Sequence, residues 1–207
     1  MKPCVLSEGE LAERAHELGT ITPASIPVLR TRNGQPHQLA WPAGQRPDFA
    51  GVYAFWWRQG RDHLWKTIQN RTVAFHGPGG LSAKDVLLEL TVESFSEFDG
   101  RVPLYIGKAH CGKTACIANR VGLHLMLQTK RAVPVHRGDQ KMKRRTTSCQ
   151  MRDRLDRLLH NEEDPRDLIL ANLALSYVRV DHWVSRFFLE DLAIGLYRPL
   201  INLDCER

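Results

Sequence analysis

Apolar residues fall in two rhythms along this chain. Near the N-terminus, "SEGELAERAHELG" (7–19) sets Leu11, Ala15 and Leu18 at helical spacing. Ser7 can cap that helix, Glu10 completes a capping box, and Gly19 is a natural stop. A second texture begins at Gly51. "GVYAFWW", "VPLYIG" (102–107) and "NLALSYVRVD" (172–181) are dense in β-branched and aromatic residues, and they predict three strands. Helical spacing returns in "TACIANRVGLHLMLQT" (114–129), "CQMRDRLDRLLHNEED" (149–164) and "VSRFFLEDLAIGLY" (184–197), the last ended by Pro199. The Gly- and Pro-rich stretch from Thr31 to Gly51 predicts a connector with a turn at Asn33-Gly34. Between Arg58 and Arg101, "HGPGG" (76–80) predicts a loop and "SAKDVLLEL" (82–90) a short helix.

The central order is strand, strand, helix, strand, helix. Two strands joined by a hairpin pair antiparallel, however enlarged the tip. The expected fold is therefore α+β, a small antiparallel three-stranded sheet flanked by helices. Residues 1–49 read as an N-terminal helical extension and connector. Residues 50–207 read as the main domain, with a large hairpin insertion at 58–101 and a second insertion at 130–166.

Composition narrows the class. A chain of 207 residues suits one domain, and 43% hydrophobic with 25% charged residues is ordinary for a soluble globular protein. "LILANLAL" (168–175) is far too short to span a bilayer, and the N-terminus has no apolar signal core. A soluble, cytoplasmic protein with no membrane partner is expected. The five cysteines, an odd number, point to free thiols in a reducing compartment. Cys111 and Cys116 beside His110 are a weak zinc signal, because no second pair lies nearby.

The net charge is +6, and its distribution matters more than its size. Ten of the basic residues lie between Lys130 and Arg157, against only Asp139, Asp153 and Asp156. Such a segment is either a phosphate-contacting surface or a solvated basic loop.

Candidate chemistry is scattered along the chain. Gly107 and Lys108 follow Tyr105 at the end of a strand, where a cation can meet a ligand. Arg120 and His124, four apart, project from one helix face. Glu190 shares a stripe with Phe187 and Ile194, where a carboxylate is expensive unless paired or metal-bound. Taken singly, each has a plain structural reading: a sheet tyrosine, a surface arginine, a satisfied core histidine, a carboxylate at the core's edge.

Together, Gly51/Tyr53, Tyr105/Gly107, Arg120/His124, Glu190 and Asn202 resemble the GIY-YIG nuclease family. The resemblance covers roughly residues 50 to 203, in order and on matching elements. "AGVYAFWW", "LYIGKA", "NRVGLHL" and "LEDLAIGLYRPLINLD" are similar to a restriction-endonuclease branch that cuts CCGCGG. The long segments between Tyr53 and Tyr105 and between His124 and Glu190 depart from that pattern, which leaves the target sequence open.

The resemblance implies hydrolysis of DNA phosphodiester bonds with Mg²⁺, for which Mn²⁺ can substitute. Glu190 would hold the metal; one carboxylate and several waters suit Mg²⁺. Tyr53 would be the base, its pKa lowered by Lys108, Arg120 and the metal, with His124 as proton acceptor or orienting partner. Tyr105 would position water or phosphate, Lys108 and Arg120 would balance phosphate charge, and Asn202 would complete the catalytic set. Lys130, Arg131, Lys141, Lys143, Arg144, Arg145 and Arg152 are the expected DNA contacts. The expected partners are double-stranded DNA and a second copy, a homodimer on a palindromic site, and the expected origin is a prokaryote or phage. The alternatives are a structure-specific or nonspecific nuclease of the same family, or an inactive DNA-binding module on the same fold.

Overall fold

The computed structural model describes residues 5–21, 24–68, 71–75, 86–110, 112, 115–127, 150–159 and 164–202. Its centre is β4 (Gly51–Trp57), all seven residues of which are buried. β7 (Val102–Ala109) and β8 (Leu173–Arg179) flank it, both antiparallel. A strand enclosed on both faces needs apolar side chains in both directions, which explains the unbroken run "GVYAFWW".

The sheet has four strands rather than the expected three, in the order β1-β8-β4-β7. The extra strand is β1 (Ala24–Ser25), paired with Leu175 and Ala174 of β8. Two residues carry no alternation to read, so the pairing is a tertiary event. A hairpin of β2 (Val28–Arg30) and β3 (Pro36–Leu39) follows, and its turn includes the expected Asn33-Gly34. Residues before 50 thus build the sheet's edge as well as the extension.

Alternate residues of β4 feed two cores. On one face, Val52, Ala54 and Trp56 meet Ala15 and Leu18 of α1 (Glu8–Thr20) and Leu189, Ala193 and Tyr197 of α6 (Trp183–Tyr197). The capping box that opens α1 is formed, Ser7 N–H donating to Glu10 Oε2 at 2.8 Å. The buried polar atoms here are satisfied in series. Trp56 Nε1 donates to Ser176 Oγ at 2.7 Å, and Ser176 donates to the Leu18 carbonyl at 2.7 Å.

On the other face, Tyr53, Phe55 and Trp57 meet Ile117, Val121 and Leu125 of α3 (Ile117–Leu125). Met151, Leu155 and Leu158 of α4 (Gln150–Leu158) and Ile169 of α5 (Arg166–Asn172) extend this core. The described end of the expected 130–166 insertion is therefore part of the main core.

The 58–101 insertion holds α2 (Arg61–Thr67) and an antiparallel pair, β5 (Thr72–Phe75) with β6 (Val86–Glu89). The helix expected over 82–90 is corrected here: 86–89 is a strand. A short apolar run such as "VLLEL" fits either element by pattern, and pairing with β5 decides it. The "HGPGG" loop lies outside the described residues. Among the described residues, no helix is long and apolar enough to cross a membrane.

Candidate functional site

The sheet brings the tyrosines together by register. Tyr53 on β4 lies opposite Gly107 on β7 and Tyr177 on β8. Tyr105 stands two residues before Gly107, on the same face as Tyr53. A Cβ at Gly107 would fall 2.7 Å from both the Tyr53 hydroxyl and Tyr105 Cε1. The missing side chain makes room for two phenol rings. Gly51 is similarly required, since a Cβ there would meet the Val178 carbonyl oxygen at 2.1 Å.

α3 lies over these rings and supplies His124. Its Nε2 is 2.7 Å from the Tyr53 hydroxyl, in a buried hydrogen bond. The imidazole centroid is 4.6 Å from that of Tyr105 and 5.6 Å from that of Phe55. His124 is 1% exposed, and its Nδ1 has no hydrogen-bond partner among the described residues. Burial, with the nearby Arg120 charge, drops the His124 pKa to about 3, so the ring is neutral. Arg120 lies one turn earlier on the same helix and is half-buried.

Tyr53 shifts the opposite way from expectation. Burial chiefly, then Tyr105 and Glu190, push its pKa well above 10, and only Arg120 pulls it down. Among the chain's own groups, burial outweighs the cation. Tyr53 and His124 both rest uncharged, sharing one hydrogen.

The other half of the candidate site lies across β7. Ile106 and Lys108 face α6, and the Lys108 ammonium forms an ion pair with Glu190. The same ammonium is 5.0 Å from the Phe187 ring centroid. Burial raises the Glu190 pKa in spite of Lys108, and Asp191 adds to the rise. The two halves sense each other, because the Glu190 charge contributes to the Tyr53 shift.

Asn202 is brought to β7 by a pair of backbone bonds. Its Oδ1 accepts from Ile106 N–H and its Nδ2 donates to the Ile106 carbonyl, both at 2.7 Å. Leu200 and Ile201 N–H groups donate to Pro103 and Leu104 carbonyls, so this tail runs along the edge of β7. The Ile106 bonds tie Asn202 to the β7 backbone between Tyr105 and Gly107.

Arg152, expected on the DNA-facing surface, is 1% exposed. Its Nε donates to Asp156 Oδ1 at 2.7 Å and its Nη1 to the Leu125 carbonyl at 2.9 Å, closing the C-terminal end of α3. Arg154 is also buried and donates to the Ile201 carbonyl. Both are internal braces. Asp156, four residues after Arg152, was the available signal. Lys130, Arg131, Lys141, Lys143, Arg144 and Arg145 lie outside the described residues.

Tyr177 escaped the sequence reading. It extends the Tyr53 row onto β8, its ring centroid 5.8 Å from that of Phe49, over which the Arg179 guanidinium lies at 5.7 Å. Its place opposite Tyr53 depends on strand register, which no single strand reveals.

Among the described residues, no group of three or more His, Cys, Asp or Glu could hold a metal. Glu190 offers one carboxylate, ion-paired with Lys108, and burial raises its pKa. That donor fits a hard divalent cation keeping several waters, so Mg²⁺ is compatible with the residues present. No family model matches this chain, and no curated protein or solved structure matches it significantly.

Proposed function

We propose that this chain is a Mg²⁺-dependent endonuclease of the GIY-YIG type that cuts double-stranded DNA, with a sequence-specific restriction enzyme as the favoured form. One observation carries the reading: the Tyr53 hydroxyl is 2.7 Å from a neutral, buried His124, in the space vacated by Gly107. The bond sets a phenol proton against a neutral imidazole acceptor on the face shared with Tyr105, the geometry that a proton relay needs.

In this mechanism water gives a proton to Tyr53 as Tyr53 gives its own to His124 Nε2. The resting pair contains no phenolate, so the two transfers belong to one step. The water oxygen bonds to phosphorus, the bond to the 3′ oxygen breaks, that oxygen takes a proton from solvent, and 5′-phosphate and 3′-hydroxyl ends result. Arg120 meets the growing negative charge with a planar cation. A bound Mg²⁺ would supply stabilisation of the leaving oxygen, and Glu190 would hold it. Lys108, beside that carboxylate, would add a second positive charge for phosphate.

The test is cleavage of supercoiled plasmid across a Mg²⁺ titration. Discrete fragments support a restriction enzyme, a smear a nonspecific nuclease, and intact plasmid with retained DNA binding an inactive module. Glu190→Gln is expected to abolish cleavage while DNA binding persists. Cutting by that variant at the wild-type rate would remove Glu190 from the reaction.

A further inference from the structure

The Glu190 stripe of α6 carries two aromatic rings that the chemistry does not use. Trp183, Phe187 and Glu190 are spaced by four and three residues, so they rise along one side of the helix. Trp183 is 67% exposed and Phe187 is 46% exposed. Phe187 adjoins the candidate site directly. The Lys108 ammonium that pairs with Glu190 also lies 5.0 Å from the Phe187 ring centroid, so one cation faces both the carboxylate and the ring.

We infer that Phe187, with Trp183 one turn before it, is a stacking platform for an unstacked nucleobase beside the phosphate to be cut. The inference rests on the nuclease reading, which puts that phosphate at Lys108 and Glu190. A base is joined to its phosphate through a single sugar, so a phosphate drawn to Lys108 brings a base close to the ring under the ammonium. Inside a duplex that base is covered by its neighbours, and it meets the face of a protein ring only by leaving the stack. The aromatic ring then replaces part of the stacking that the base gives up. Every base has such a face, so the platform adds affinity without reading sequence. The favoured substrates are therefore duplexes in which one base beside the cut is unpaired or easily unstacked. The exposed Phe188, Leu192 and Leu196 lie further round the helix and are not part of the platform.

Fluorescence anisotropy with the full chain in EDTA, which prevents Mg²⁺-dependent cleavage, tests it. The probes are two short DNA duplexes of one sequence, the first with a single extra unpaired thymidine, the second with an abasic residue in its place. Both carry the same phosphates and the same interruption, so only the base distinguishes them. The wild type is expected to bind the thymidine duplex about tenfold more tightly, the usual gain from stacking one base on an aromatic ring. Phe187→Leu keeps an apolar side chain but no ring, and is expected to bind the two duplexes alike. Phe187→Trp restores a ring and is expected to keep the preference, which separates stacking from a general loss of structure. A wild type that binds the two alike or binds neither, or a Phe187→Leu chain that keeps the full preference, overturns the inference. A chain that cuts plasmid without this preference defeats the inference alone. One that shows the preference yet never cuts plasmid leaves the inference standing and defeats the nuclease reading instead.

Discussion

The two faces of the sheet handle ionisable groups in opposite ways. On the α3 face, Tyr53 and His124 are buried together, and both are neutral. On the α6 face, Lys108 and Glu190 form an ion pair, with side chains 33% and 13% exposed. Burial favours the uncharged form on both faces, but only Glu190 has an opposite charge in contact to resist it. One β7 strand carries Tyr105 and Gly107 into the first environment and Lys108 into the second. Alternation along a strand thus separates a proton-handling compartment from a charge-holding one, a few ångströms apart.

The sharpest way to break that contrast is to remove the hydroxyl from the neutral side. Tyr53→Phe keeps the ring in its place among Phe55, Tyr105 and His124 and deletes only the group bonded to Nε2. Single-turnover cleavage at saturating DNA is expected to slow by about 10²- to 10⁴-fold, the usual loss for a general base. A rate within a factor of two of wild type would move the relay away from Tyr53.

The next effect is on stability. His124 has an ordinary pKa of 6.5 once unfolded and about 3 in the fold. Between those values the unfolded chain binds the extra proton, so stability falls as the pH falls from 6.5 towards 3. At about 1.4 kcal/mol per pH unit, the full loss approaches 5 kcal/mol. Urea melts at intervals from pH 7 to pH 4 would show the slope. His124→Gln, which cannot titrate, is expected to flatten it. An equally steep slope in that variant would place the acid sensitivity elsewhere.

Much of this arrangement was legible in the sequence, and the remainder was hidden for identifiable reasons. β4, β7 and β8 announce themselves because strands buried on two faces must be apolar throughout, and α1 announces itself through Ser7 and Glu10. Tyr53, Tyr105, His124 and Arg120 do converge on one face. What could not be read was set by register and burial. Gly107 looks like space for a ligand until the Tyr53 and Tyr105 rings are found filling it. Arg152 looks like a DNA contact until Asp156 and the Leu125 carbonyl are found around it. In each case the residue type was compatible with two roles, and the partners gathered around it in the fold made the choice. β6 differs, because there the apolar pattern itself suits both helix and strand.

The smallest expected effect comes from the charged side, and it has the opposite pH sign. Glu190 has a pKa raised above its ordinary 4.5, mainly by burial, while Lys108 pulls against that rise. A carboxyl that holds its proton more tightly when folded adds stability at low pH and loses it as the pH climbs through the folded value. Lys108→Leu keeps an apolar stem over Phe187 but removes the cation, so the Glu190 pKa rises further. The half-open ion pair is itself worth only about 0.2–1 kcal/mol, so the melting midpoint at neutral pH should hardly move. Cleavage should respond more clearly. A carboxyl must be ionised to hold Mg²⁺, so the acid limb of the pH–rate profile is expected to move to higher pH in Lys108→Leu and to return towards wild type as Mg²⁺ is raised. Single-turnover profiles at two Mg²⁺ concentrations measure this. An acid limb that stays put in both would mean that Lys108 does not govern the ionisation of Glu190, and the two faces would then differ in burial alone.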